Sequence, residues 1–205
     1  MEIVCLDLEG VLIPEVWIAF AEKTGIDDLR ATTRDIPDYN ILMNQRLKIL
    51  EKNDFLLEDI QNVISSLEPL PGAKVFLDWL RERFQVIILS DTFYEFSNPF
   101  MKKLAWPTLF CHRLSVDSGG RVLDYQLRQD DPKGSSVKAL KSLNYEVFAA
   151  GDSYNDISML SEADAGILIH APQNVINDFP QFNFVNNYEE LKAKLINLSS
   201  RPLLK

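Results

Sequence analysis

Residues 2–14 read EIVCLDLEGVLIP, an apolar run that breaks into acid. Ile3, Val4, Cys5 and Leu6 show no polar alternation, the pattern of a strand covered on both faces. Asp7 and Glu9 follow at once, and carboxylates leaving a core are costly unless something compensates them. Two further strand-like runs end the same way, in LSDTF (89–93) and AAGDSYND (149–156). In an open parallel sheet ligands bind beyond the carboxyl ends of the strands, so the three polar runs converge there.

The order of elements agrees. From Pro14 to Glu68 the apolar spacing is helical, with no convincing strand; LEDIQNVISSL (57–67) is the cleanest amphipathic face. Pro69, Pro71 and Gly72 punctuate its end. Helices and strands then alternate. AKVFLDWLRERF is a helix, QVIIL a strand with SDT following it, and residues 93–104 a helix. TLFCHRLSV is extended, SGG (118–120) is a hairpin turn into RVLDYQL, SSVKALKSL is a helix and YEVFAAG a strand. NDISMLSEA is a helix, AGILI a strand and YEELKAKLINL the closing helix. Alternation of this kind predicts a doubly wound α/β fold with a parallel sheet, the long helical stretch being an insertion after the first strand.

Composition bounds the rest. The 205 residues suffice for one domain, or a core with a smaller insertion. A net charge of −9 gives no expectation of a nucleic-acid face, and no apolar stretch is long enough to span a bilayer. Without a basic, then apolar, N-terminus a secretory signal is not expected. With only Cys5 and Cys111, a reducing cytoplasm is the natural compartment. Cys5 reads as a small buried hydrophobe. His112 and His170 read as structural, and Trp17, Trp79 and Trp106 as packing residues, Trp17 standing near the pocket side.

Asp7, Asp152 and Asp156 repel one another unless a cation lies among them, and oxygen-only ligands favour a hard ion such as Mg²⁺. These motifs resemble the haloacid-dehalogenase superfamily of phosphotransferases. DLEGV is similar to its first motif, Ser90 to its second, Lys133 in DPKGSSV to its third and GDSYND to its fourth, in order along the whole chain. The resemblance implies a Rossmann-like core over 1–13 and 71–205 and a helical cap over 14–70. It also implies roles. Asp7 is the nucleophile that becomes an aspartyl phosphate, and Glu9 the general acid and base. Lys133 neutralises charge on the phosphoryl group. Mg²⁺ is held by Asp7, the Glu9 carbonyl, Asp152 and Asp156. Ser90, Asp91, Thr92 and Asn155 lie on the substrate side.

YNILMNQRL (39–47) further resembles the cap of phosphoserine phosphatases, an aromatic, Tyr39, preceding an arginine, Arg46. There Arg46 would bind the substrate carboxylate, a role its planar fork suits, and Glu15 the ammonium. Glu9 in place of the usual Asp, and Ser-Asp-Thr in place of Ser-Gly-Gly, make the chain similar to the ThrH-type subgroup. That subgroup hydrolyses phosphoserine and can pass the phosphoryl group to homoserine. The partners implied are these small molecules, with no nucleic acid and no membrane, and a homodimer is left open. A phosphatase for another small phosphate ester is the alternative. A receiver-type phospho-acceptor module fits less well, because its acid lies near mid-chain and it carries no cap. A dinucleotide-binding protein fits less well still, because no Gly-rich turn follows the first strand.

Overall fold

The computed structural model describes residues 1–33, 35–36 and 38–200. The cap and core spans expected from the sequence also include Arg34, Pro37 and residues 201–205, which lie outside the described residues. Strand β1 (Glu2–Leu6) is followed by three helices, α1 (Val16–Thr24), α2 (Tyr39–Lys52) and α3 (Leu57–Ser66). Then come α4 (Ala73–Arg81), β2 (Gln85–Phe93), α5 (Tyr94–Lys103) and the hairpin of β3 (Leu109–Val116) and β4 (Val122–Gln126). Helix α6 (Pro132–Ser142), β5 (Glu146–Gly151), α7 (Ile157–Glu162), β6 (Ala165–Ile169), α8 (Gln173–Asp178), β7 (Asn183–Val185) and α9 (Tyr188–Leu198) complete the chain.

Among the described residues the strands form one sheet, ordered β4-β3-β2-β1-β5-β6-β7. Every pairing is parallel except that of β3 with β4. Strand β1 is the switch point, and all five of its residues are buried. Ile3 and Cys5 face a layer with Val137 and Leu140 of α6 and Met159 and Leu160 of α7. Val4 and Leu6 face the opposite layer, with Phe76 and Leu80 of α4 and Leu191 of α9. Both faces being covered is why the run carries no polar alternation. The second layer continues without a break into Val16, Phe20, Met43, Leu50 and Ile60, so the three-helix insertion shares its core. The insertion leaves and returns at one place, where the Leu70 amide donates to the Leu12 carbonyl at 3.0 Å.

The elements differ in places from the sequence-based expectation. Strand β2 does not stop before Ser-Asp-Thr but runs through it to Phe93, its register with β3 shifting between Leu89 and Phe93. Such an irregularity re-aims side chains, and these residues are polar because they face a cavity. Helix α6 starts at Pro132 rather than Ser135: Pro takes the first helical position, and the Asp131 side chain accepts from the Gly134 amide. Lys133 therefore belongs to the helix. Helix α8 and strand β7 carry no periodic signal, being too short to show one.

Pro99 lies inside α5, where it has no N–H to give the Glu95 carbonyl. Gln61 of α3 supplies the donor instead, at 2.7 Å. The β3–β4 hairpin reaches the insertion from the other side. The Gly120 carbonyl accepts from the Leu57 amide at 2.9 Å, and the Tyr125 hydroxyl donates to the Asn40 amide oxygen.

Candidate active site

The carboxyl ends of β1, β2 and β5 bring the three polar runs together. Asp7 leaves β1, its main-chain N–H donating to the Ala150 carbonyl at 3.0 Å. Asp152 and Asp156 follow β5. Carboxylate oxygens of Asp7, Asp152 and Asp156 lie within 4.8 Å of one another, and all three residues are buried. Lys133 reaches in from the first turn of α6 with 2 % of its surface exposed. Its Nζ stands 2.6 Å from Asp156 Oδ1, 2.9 Å from Asp7 Oδ1 and 3.8 Å from Asp91 Oδ2. The main-chain amides of Asp152 and Ser153 donate to Asp156 Oδ2 at 2.9 and 3.1 Å, which orients that carboxylate.

One lysine does not balance so much negative charge. Burial raises the Asp7 carboxyl well above its ordinary range, Asp156 and Asp152 adding to the shift and Lys133 opposing it. Burial alone would drive Lys133 down, yet Asp156, Asp7 and Asp91 hold its ammonium well above the usual value. Charge excess, an all-carboxylate donor set and close approach together fit a hard divalent cation. The backbone makes room for the set. Gly10 has φ +79°, and a Cβ there would collide with the Asp152 carboxylate.

Above Asp7 lies a cavity of about 70 Å³ between the sheet and the inserted helices. Glu9, Glu15, Trp17, Arg46, Ser90, Thr92 and Asn155 line it. Glu9 accepts the Val16 amide, at the start of α1, at 2.9 Å. Its carboxyl is pushed up to about 7 by burial and by Glu15, against the Val16 N–H, Arg46 and the Thr92 hydroxyl. Arg46 is 7 % exposed and lies 4.6 Å from the Trp17 ring centroid. One of its Nη atoms donates to the Ala31 carbonyl at 2.9 Å, while its Nε has no hydrogen-bond partner among the described residues. Burial lowers the guanidinium to about 10, with Tyr39, Glu9 and Glu15 opposing; it stays charged at neutral pH.

Every site residue expected from the sequence thus meets at this junction. Asp91 does so with both carboxylate oxygens already engaged, Oδ1 by His112 at 3.3 Å and Oδ2 by the Asn155 amide at 2.7 Å. Burial pushes Asp91 up, but Lys133, His112 and Asn155 together hold it down at about 2. Two neighbours were not assigned from the sequence. Tyr39, read only as a spacing mark, donates its hydroxyl to the Asp91 carbonyl at 2.9 Å. His112, read as structural, touches Asp91. Its one sequence signal is a histidine directly after the apolar run LFC of its strand.

The chain matches the haloacid dehalogenase-like hydrolase family over residues 1–164. It is 67 % identical over 203 residues to the phosphoserine phosphatase ThrH of Pseudomonas aeruginosa, covering 99 % of each chain. It is 66 % identical over 204 residues to a phosphoserine phosphatase of Pseudomonas syringae pv. tomato, covering 100 % of this chain and 86 % of that one. Among solved structures, a phosphoserine phosphatase described as a phospho-aspartyl intermediate analogue shares the fold. Its TM-score is 0.79 at 20 % identity, over 94 % of this chain and 98 % of the other.

Proposed function

The chain belongs to the haloacid dehalogenase-like hydrolases, and from that premise we propose that it hydrolyses phosphoserine through an aspartyl phosphate on Asp7. One observation carries the reading: Asp7, paired with Lys133 at 2.9 Å, lies under a cavity that also holds Glu9, Glu15 and Arg46. The named function of the relatives in Pseudomonas supports it. Arg46 takes the substrate carboxylate and Glu15 its ammonium, which aims the phosphate at Asp7. An Asp7 oxygen attacks phosphorus as the bond to the serine oxygen breaks, and Glu9 gives that oxygen its proton. A group whose pKa is near 7 suits both directions of this transfer.

In the second half Glu9 takes a proton from the incoming hydroxyl, whose oxygen attacks phosphorus and frees Asp7. Lys133, Ser90, Thr92 and Asn155 hold the phosphoryl oxygens, so that catalysis is mostly positioning and electrostatics. Asp7, Asp152, Asp156 and the Glu9 carbonyl would hold Mg²⁺, which supplies charge neutralisation at the phosphoryl group. Residues 14–70 act as the cap over a core of 1–13 and 71–205, in a cytoplasmic enzyme.

A second acceptor follows from the same pocket. Homoserine carries the carboxylate and ammonium that Arg46 and Glu15 recognise, so it can occupy the place serine leaves and receive the phosphoryl group instead of water. The test of the main reading is phosphate release from phosphoserine, with Mg²⁺ and after its removal by chelation. Rapid metal-dependent release is expected; no release under any metal condition overturns it.

A further inference from the structure

We infer that His112 is a positioning residue of this site, which acts through Asp91 to keep Asn155 and Lys133 where the phosphoryl group is received. The inference rests on the function proposed above. His112 is on β3, 2 % exposed, its ring between those of Tyr39 and Phe93 with centroids 6.1 Å from each. Packing of that kind alone would be served by another aromatic residue. The hydrogen bonds ask for more. The Arg128 main-chain N–H donates to Nδ1 at 3.1 Å, so Nδ1 presents a lone pair and the ring proton is on Nε2. Nε2 is the atom facing Asp91 Oδ1, at 3.3 Å.

The Asp91 carboxylate is therefore held at both ends. His112 takes one oxygen, and the Asn155 amide takes the other at 2.7 Å. This orientation leaves Lys133 at 3.8 Å, near enough to feel the charge yet outside a direct hydrogen bond, and turned toward Asp7. Remove the Nε2 donor and Oδ1 of the part-buried Asp91 loses its protein partner, which is costly. Rotation of the carboxylate onto Lys133 relieves that cost. The new ion pair then competes with the phosphoryl oxygens for Lys133 and releases Asn155. His112 also lines a cleft of about 560 Å³ on the outer side of Asp91, with Gln129 and Asn174. A small molecule in solvent can reach the place of its ring from there.

Two amide substitutions separate the two ring nitrogens. His112→Gln sets a donor near the Nε2 position, whereas His112→Asn reaches only as far as Nδ1. Expected is kcat/KM within about threefold of the unsubstituted protein for His112→Gln. His112→Asn should lose roughly ten- to a hundredfold, equally on phosphoserine and on p-nitrophenyl phosphate, because the change is on the phosphoryl side. In an Asp91→Asn background the His112→Asn step should cost little more, since the two act as one unit. Melting temperatures are measured for all variants. Should His112→Asn not fold, His112→Ala assayed with added imidazole takes its place, and recovery of turnover is expected. The inference is overturned if the Gln and Asn variants fall together in step with their melting temperatures, if the two losses simply add, or if imidazole restores nothing. No turnover by the unsubstituted protein on either ester would overturn the proposed function, and this inference with it.

Discussion

Arg46 keeps a positive charge against the Trp17 ring, its Nε without a hydrogen-bond partner among the described residues. Arg46→Ala should therefore weaken phosphoserine turnover far more than that of p-nitrophenyl phosphate, which has no carboxylate. The difference in transition-state stabilisation should be about 1.5–3 kcal/mol, read from kcat/KM on the two esters. Equal losses would make Arg46 a packing residue. At Asp7 the expectation is sharper. Asp7→Asn removes the attacking oxyanion and also one of several crowded negative charges. Turnover should vanish while the thermal midpoint stays level or rises, and residual activity in a clean preparation would refute the covalent route. Asp7, Glu9 and Lys133 were legible from sequence because each belongs to a local motif. His112 was not, because what it does depends on Asp91, a residue far from it in the chain and beside it only in the fold.

At the scale of elements, one side chain of α3 completes the hydrogen bonding of α5. Pro99 leaves the Glu95 carbonyl without its helical donor, and Gln61 supplies it. Gln61→Ala should destabilise the protein by about 0.5–1.5 kcal/mol in denaturant unfolding, the net worth of one part-buried hydrogen bond. In a Pro99→Ala background, where the helix provides its own N–H, that cost should shrink to a few tenths of a kcal/mol, about the effect of a surface change. Undiminished cost in the double variant would mean Gln61 contributes by packing alone. Gly10 is the corresponding element at the site. Its positive φ and the space it leaves for Asp152 predict that Gly10→Ala displaces that carboxylate and raises the Mg²⁺ concentration needed for half-maximal turnover. Unchanged metal dependence would count against Asp152 as a ligand. Sequence periodicity found α3 and the long insertion well, because their apolar stripes are continuous. It ended β2 too early, because a strand that turns polar at a cavity no longer looks like a strand.

For the molecule as a whole, the proposed reading puts recognition of the amino-acid end and transfer of the phosphoryl group in the one cavity between sheet and inserted helices. Supplied with phosphoserine and homoserine together, the enzyme should form phosphohomoserine, detectable by phosphorus NMR. A positioned hydroxyl gains a large effective molarity over water, which offsets water's abundance. If inorganic phosphate is the only product at saturating homoserine, the transfer reading fails and hydrolysis stands alone.

The sequence by itself determined the layered α/β architecture, the helical insertion after the first strand and the acids that end the strands. These are local matters of spacing and burial, written into contiguous residues such as EIVCLDLEGVLIP. Only the tertiary structure decided that Lys133 is shared among Asp7, Asp156 and Asp91, that Glu9 is pushed to about 7, and that His112 stands behind Asp91. The reason is physical. Desolvation and charge coupling depend on distances between residues remote in the chain, and those distances exist only once the sheet has brought its strand ends together.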